Sequence, residues 1–272
     1  MPRYFDIHSH IPFRDYDQDL EEVVSRMRDE EVWTITVGVD HKTSKEAVLF
    51  GEEREGFFAS IGLHPTGTPL ESFHAREYTS LVEHPKTVAI GECGIDYYRL
   101  QGAGGSEQQK EKERQWGVFK QHIEFALEYD KPLMIHCRPS KGSMDAYEEV
   151  AGYLESLMLD VRHQALRGNM HFFVGNVDVA RRFWRLGFTT SFTGVLTFTH
   201  DYDEVVREAP LDMILTETDS PFAAPQPFRG KRNEPVYVKY VVEAIAKARR
   251  ADVESIREAT VSNAFRVFGI NS

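Results

Sequence analysis

YFDIHSH, residues 4–10, is a short apolar run that ends in two histidines spaced two apart. Side chains alternate across an extended strand, so this spacing turns both imidazoles to one face. Similar β-rich runs recur along the chain: Tyr4 to His8, Val32 to Val39, Phe57 to Leu63, Thr87 to Glu92, Pro132 to Cys137, Asn169 to Val174, Phe188 to Phe192 and Met213 to Glu217. Between them lie segments of helical periodicity at Leu20 to Arg28, Ser44 to Phe50, Phe73 to Val82, Gln108 to Tyr129, Met144 to Leu157, Val177 to Leu186 and Tyr202 to Ala209. Two further helices follow the last strand, the second with Asp252 as its N-cap. Strict alternation predicts repeated βα units and a parallel sheet. Eight strands, with no G-x-G-x-x-G after the first, favour a closed (β/α)8 TIM barrel over an open dinucleotide-binding sheet. Gln101 to Ser106, QGAGGS, reads as a loop after the fourth strand.

The chain has 272 residues, of which 41% are hydrophobic, 28% charged and 12% aromatic. That length suits one α/β barrel, so residues 1–272 are expected to form a single domain with a large core. Neither a basic start followed by an apolar run nor an uninterrupted span of eighteen apolar residues occurs, which points away from membranes and toward the cytoplasm. Cys93 and Cys137 form no CxxC motif, which also favours a reducing compartment. Each directly follows a polar residue at a strand end, so alternation turns both thiols toward the helices as packing residues. The net charge of -11 argues against a broad nucleic-acid groove. It does not argue against a small phosphate site, because bound cations would add positive charge locally.

The working residues of such a barrel come from the C-terminal ends of its strands. Those ends carry His8 and His10 after the first strand, His64 after the third, Glu92 after the fourth, His136 after the fifth, His171 at the sixth and Asp219 beyond the eighth. Imidazole and carboxylate together suit zinc, manganese or a similar borderline ion, whereas calcium would take oxygen alone. The set exceeds what one tetrahedral ion needs, so a two-metal centre is expected, with Glu92 as the bridge.

The motifs that carry these residues run in order: DIHSH at 6–10, GLHP at 62–65, AIGECGIDYY at 89–98, PLMIHCR at 132–138, HFFVG at 171–175, SFTG at 191–194, ETDSP at 217–221 and RGKRNEP at 229–235. Taken together they resemble the TatD family of metal-dependent hydrolases. The resemblance implies a barrel holding two divalent ions (zinc, manganese or magnesium) on His8, His10, Glu92, His136, His171 and Asp219. It also implies deoxyribonuclease activity, often exonucleolytic, on DNA ends or small phosphodiesters. His64 matches a family position that is not a usual ligand and is read as a substrate contact.

In this scheme a shared water is activated between the ions, and Glu92 and Asp219 are the catalytic carboxylates, with Asp219 accepting the proton. Asp96, Tyr97, Arg138 and Arg229 join His64 as expected substrate contacts, the arginines on phosphate and the tyrosine, with Tyr98, on a base. Lys231 and Arg232 are further phosphate candidates. Nothing in the sequence indicates a membrane or an obligate protein partner. The alternative activity is hydrolysis of a small amide, ester or lactone, since the same nucleophile attacks carbonyl carbon. Two departures from the family pattern stand near the site: His171-Phe172-Phe173-Val174-Gly175 replaces a run of the HCFSG kind, and a longer segment with SKGSMDAY separates His136 from His171.

Overall fold

The structure, a computed structural model, describes residues 1–67, 72–102 and 104–271. Eight parallel strands follow one another in chain order around a barrel: β1 (Tyr4–Ser9), β2 (Val32–Val37), β3 (Phe57–Ile61), β4 (Thr87–Asp96), β5 (Leu133–Arg138), β6 (Gly168–His171), β7 (Phe188–Phe192) and β8 (Ile214–Thr216). The helices between and after them are α1 (Leu20–Asp29), α2 (His41–Glu52), α3 (Ala75–Val82), α4 (Gly105–Glu128), α5 (Asp145–Leu157), α6 (Val177–Arg185), α7 (Asp203–Glu208), α8 (Val238–Arg249) and α9 (Val253–Phe268). The expected (β/α)8 architecture is therefore present. Among the described residues no helix is long and apolar enough to cross a membrane.

Two apolar layers hold the barrel. The larger lies between strands and helices and includes Cys93, Cys137, Phe119, Tyr147 and Phe183. Both cysteines are free and buried, and burial pushes their thiols well above the ordinary range, so neither offers a thiolate. The smaller layer joins Phe5, Ile7, Ile35, Val37 and Leu215 of the strands to Val261, Ala264, Val267 and Phe268 of α9. Phe265 of α9 meets the Phe5 ring edge-on at 5.8 Å and stacks with Trp33 at 5.7 Å, which places α9 across the N-terminal ends of β1 and β2. Its first turn is capped as expected, by Asp252 accepting from the Ser255 N–H.

The seam between β8 and β1 bears most on function. A regular ladder gives way there to a bridge between Ser9 and Ser220, with Asp219 N–H donating to the His8 carbonyl at 2.9 Å and His10 N–H to that of Ser220 at 2.8 Å. Asp6, fully buried, accepts from Thr218 Oγ1 at 2.6 Å, from Thr218 N–H at 2.8 Å and from His8 N–H at 3.2 Å. The DIHSH and ETDSP segments are thereby stapled together at the rim.

Several element ends differ from expectation. β4 continues past Glu92 to Asp96 with a bulge between Ile90 and Cys93. Glycines permit this: a Cβ on Gly91 (φ +151°) would lie 2.3 Å from the Met134 carbonyl oxygen, and one on Gly94 (φ +137°) 2.0 Å from that of His136. β6 stops at His171, since Phe172 takes φ +48° and leaves the extended conformation. α2 begins at His41 because Asp40 and Thr43 form a capping box. Gly105 and Ser106, expected in a loop, already belong to α4; Ala103 of that loop lies outside the described residues.

Candidate metal centre

The rim at the C-terminal ends of the strands brings together all six expected ligands. His10 Nδ1 lies 2.9 Å from the Val37 carbonyl, which only accepts, so the proton sits on Nδ1 and Nε2 keeps its lone pair. His171 is oriented in the same way, with Nδ1 donating at 3.0 Å to Glu217. Glu217 is fully buried and also accepts from Ser191 Oγ at 2.8 Å and from the Phe172 N–H at 2.6 Å. The His8 ring is placed by stacking on His171, centroid to centroid 3.5 Å.

Around one point stand His8 Nε2, His10 Nε2, Glu92 Oε2 and Asp219 Oδ1. His8 is 3.2 Å from His10, 3.5 Å from Glu92 and 3.7 Å from Asp219; His10 is 3.9 Å from Glu92 and 3.5 Å from Asp219. Ligands about 2.0–2.1 Å from a tetrahedral ion stand about 3.3–3.4 Å apart, so these groups fit a cation with small adjustments. The other oxygen of Glu92 faces away from this group. Oε1 lies 2.8 Å from His136 Nδ1 and 3.6 Å from His171 Nε2. Asp219 Oδ1 is 3.9 Å from His171 Nε2. The bulge in β4 aims Glu92 at both sets, the kind of re-aiming for which bulges are used near active sites.

Electrostatics favour the same reading. Burial opposes ionisation of Glu92, yet the charges of His64 and His171 and the hydrogen bonds from His136 and His64 hold its carboxyl well below the usual range. Asp219 is also lowered, with burial outweighed by the His10 hydrogen bond and by the charge of His171. Burial, reinforced by the neighbouring His171, pushes His8 down to about 4, leaving a neutral imidazole. His171 moves the other way, to about 10, because Glu217 and Glu92 overcome its burial. Burial lowers His64, whereas at His10 and His136 the carboxylates Asp219, Glu92 and Asp96 outweigh burial and raise the imidazoles, so His10, His136 and His171 are the groups whose extra protons a divalent cation would displace.

Of the expected substrate contacts, His64, Asp96 and Arg138 line a cavity of about 850 Å³ above these groups. His64 Nδ1 accepts from the Thr66 N–H at 3.1 Å, so its Nε2 carries the proton and points at Glu92 Oε1 from 3.3 Å as a donor. Asp96 accepts from His136 Nε2 at 3.3 Å and from the Arg99 N–H at 3.1 Å, and so orients His136. Two expectations are corrected. Tyr97 is fully buried, its hydroxyl donating to Glu149 at 2.5 Å and accepting from Trp116 Nε1 at 2.8 Å, so no base can stack on it. Arg229 lies over the Phe198 ring at 3.6 Å, outside the cavity lining, and Arg232 is held by Asp19 at 2.6 Å. Tyr98 is partly exposed beneath the Arg138 guanidinium, 4.0 Å from the ring centroid.

Sequence reasoning did not assign Glu217, Asp6 or Arg99. For Glu217 the available signal was a carboxylate two residues before a proposed ligand, within a strand that should otherwise be apolar.

Comparison with known proteins identifies the family of the chain. The family model described as TatD related DNase matches residues 5–269. The metal-dependent hydrolase YabD of Bacillus subtilis strain 168 is 40% identical over 271 residues, covering 98% of this chain and 99% of that protein. The metal-dependent hydrolase TatD of Mycobacterium tuberculosis is 31% identical over 242 residues, covering 87% and 85%. The crystal structure of YJJV, a TatD homolog from Escherichia coli K12, superposes with a TM-score of 0.83 at 25% identity over 99% of both chains.

Proposed function

Since the chain belongs to the TatD family of metal-dependent hydrolases, we propose that it is a phosphodiesterase that cleaves DNA ends or small phosphodiesters at a pair of divalent ions. The observation that carries this reading is the two-sided presentation of Glu92, with Oε2 toward His8 and His10 and Oε1 toward His136 and His171. His8, His10, Glu92 and Asp219 would hold one ion, and Glu92, His136 and His171 the other. Bound there, zinc, manganese or magnesium would supply Lewis acidity and lower the pKa of a water.

The chain's own residues supply the rest. Asp219 is anionic, and its side chain is 14% exposed to the cavity, so it takes the proton of the attacking water. His64 lines the same cavity with its Nε2–H turned to Glu92 Oε1, so it steadies that carboxylate, and the exposed Arg138 stands at the cavity rim as a donor for a substrate phosphate beyond the one attacked. Asp96 and Glu217 keep His136 and His171 in register during turnover.

The test is incubation of metal-reconstituted protein with an end-labelled single-stranded oligonucleotide, bis-p-nitrophenyl phosphate and a p-nitrophenyl ester in parallel. Phosphodiester cleavage is expected, with Asp219→Asn lowering kcat about 10³-fold while far-UV circular dichroism stays unchanged. Ester turnover without any phosphodiester cleavage would replace this reading with the carbonyl-hydrolase alternative.

A further inference from the structure

The cavity above the candidate metal centre has two unlike walls. On the β4 and β5 side Arg99 and Arg138 reach its rim, both exposed. The only carboxylate near Arg99 among the described ion pairs is Asp96, 3.8 Å from Nε and shared with His136, while Arg138 has no ion-pair partner among the described residues and lies over Tyr98. The segments after β6, β7 and β8 line it with apolar side chains instead: Phe172 and Val174, Tyr202, and Phe222. Phe222 is 52% exposed, with its ring 6.1 Å from that of His10, and Phe172 meets the His171 ring edge-on at 5.9 Å. The aromatic rings thus stand beside His10 and His171, and the two arginines beside Asp96 and Tyr98. Glu217 fixes the Phe172 backbone by accepting its N–H, so the aromatic ring is set on the same carboxylate that orients His171.

We propose that these walls are subsites flanking the scissile phosphodiester: Phe172 and Phe222 stack a nucleobase on one side, and Arg99 with Arg138 bind the next phosphate on the other. This deepens the phosphodiesterase reading and rests on it. The preferred substrate class is then an oligonucleotide end, with a base and a second phosphate on either side of the bond cleaved, in preference to an isolated phosphodiester. An aromatic face binds any base, so little base preference follows. The second phosphate, held by two guanidiniums, would give a salt-dependent gain in affinity.

The experiment compares three substrates on the metal-loaded protein: a thymidine hexamer, a hexamer of abasic tetrahydrofuran units, and thymidine 5′-(p-nitrophenyl phosphate). For the unaltered protein kcat/KM on the thymidine hexamer should exceed that on the abasic one about ten-fold, the scale of one base stacked on an aromatic ring. Phe172→Ser should reduce that ratio to near one. Phe222→Ala, at an exposed position that does not threaten folding, should reduce it at least three-fold. Arg138→Ala should raise KM for the hexamer more than for the thymidine ester, which has no second phosphate. Fluorescence anisotropy of the labelled hexamers on metal-free protein should show the same ordering without turnover. Cleavage with a thymidine-to-abasic ratio near one, or a ratio that neither aromatic substitution changes, overturns the base subsite. Equal KM effects of Arg138→Ala on hexamer and ester overturn the phosphate subsite. If none of these phosphodiesters is cleaved while a p-nitrophenyl carboxylic ester assayed in parallel is, the underlying function fails first and the subsites fall with it.

Discussion

His122 couples stability to pH through the loop that carries His64. It is fully buried on α4, with Nδ1 donating to the Val118 carbonyl at 2.8 Å and Nε2 accepting from the Leu63 N–H at 3.0 Å. The Phe73 ring covers it at 3.8 Å. Burial pushes its pKa down to about 4. The unfolded chain, with an ordinary histidine near 6.5, therefore binds the extra proton between these values. Stability from His122 is fully present above pH 6.5 and is lost as pH falls toward 4. From pH 7.5 to 5.0 the loss amounts to about 2 kcal/mol. A proton on Nε2 would also evict the Leu63 N–H and release the backbone next to His64. The assay is urea unfolding of metal-free protein at both pH values, for the natural chain and for His122→Gln, whose amide oxygen can still accept from Leu63. Other titrating groups, His8 among them, contribute to both proteins and cancel in the difference. The natural chain should lose about 2 kcal/mol more than the variant on acidification. A difference below about 0.5 kcal/mol would refute the assignment of His122 as a buried neutral acceptor.

Two other perturbations report on how the site is held. In Glu217→Gln one face of the side chain becomes a donor, so it cannot accept from Ser191, Phe172 and His171 together; competition with a fluorescent zinc chelator at pH 7.5 should show about 10–100-fold weaker zinc binding. Gly94→Ala would set a Cβ 2.0 Å from the His136 carbonyl oxygen at φ +137°, so urea unfolding should show a loss of about 3 kcal/mol.

Much of the fold was legible because the barrel repeats one local pattern, apolar strand then amphipathic helix, and each unit announces itself without knowledge of the others. The candidate site was legible for a related reason: residues such as His8, His136 and His171 are polar where a strand should be apolar, at the end where barrels keep their chemistry. What could not be read came from contacts between distant segments. The bulge that aims Glu92 exists because Gly91 and Gly94 crowd the carbonyls of Met134 and His136 on the neighbouring strand. Tyr97 looked available for stacking, since sequence does not reveal that Trp116 and Glu149 enclose it. Glu217 stood out as a carboxylate but its role was not legible, because a carboxylate that orients a ligand and one that serves as a ligand have the same sequence signature. The start of α2 was a different matter, since Asp40 and Thr43 are a local capping pair and could have been read as one.

The most direct measurement of the two-ion assignment is an anomalous-scattering map from crystals soaked in manganese or zinc. Two peaks about 3.5–4 Å apart are expected, with one oxygen of Glu92 on each, His8 and His10 beside the first and His136 and His171 beside the second. A single peak, or a pair that Glu92 does not join, would contradict it.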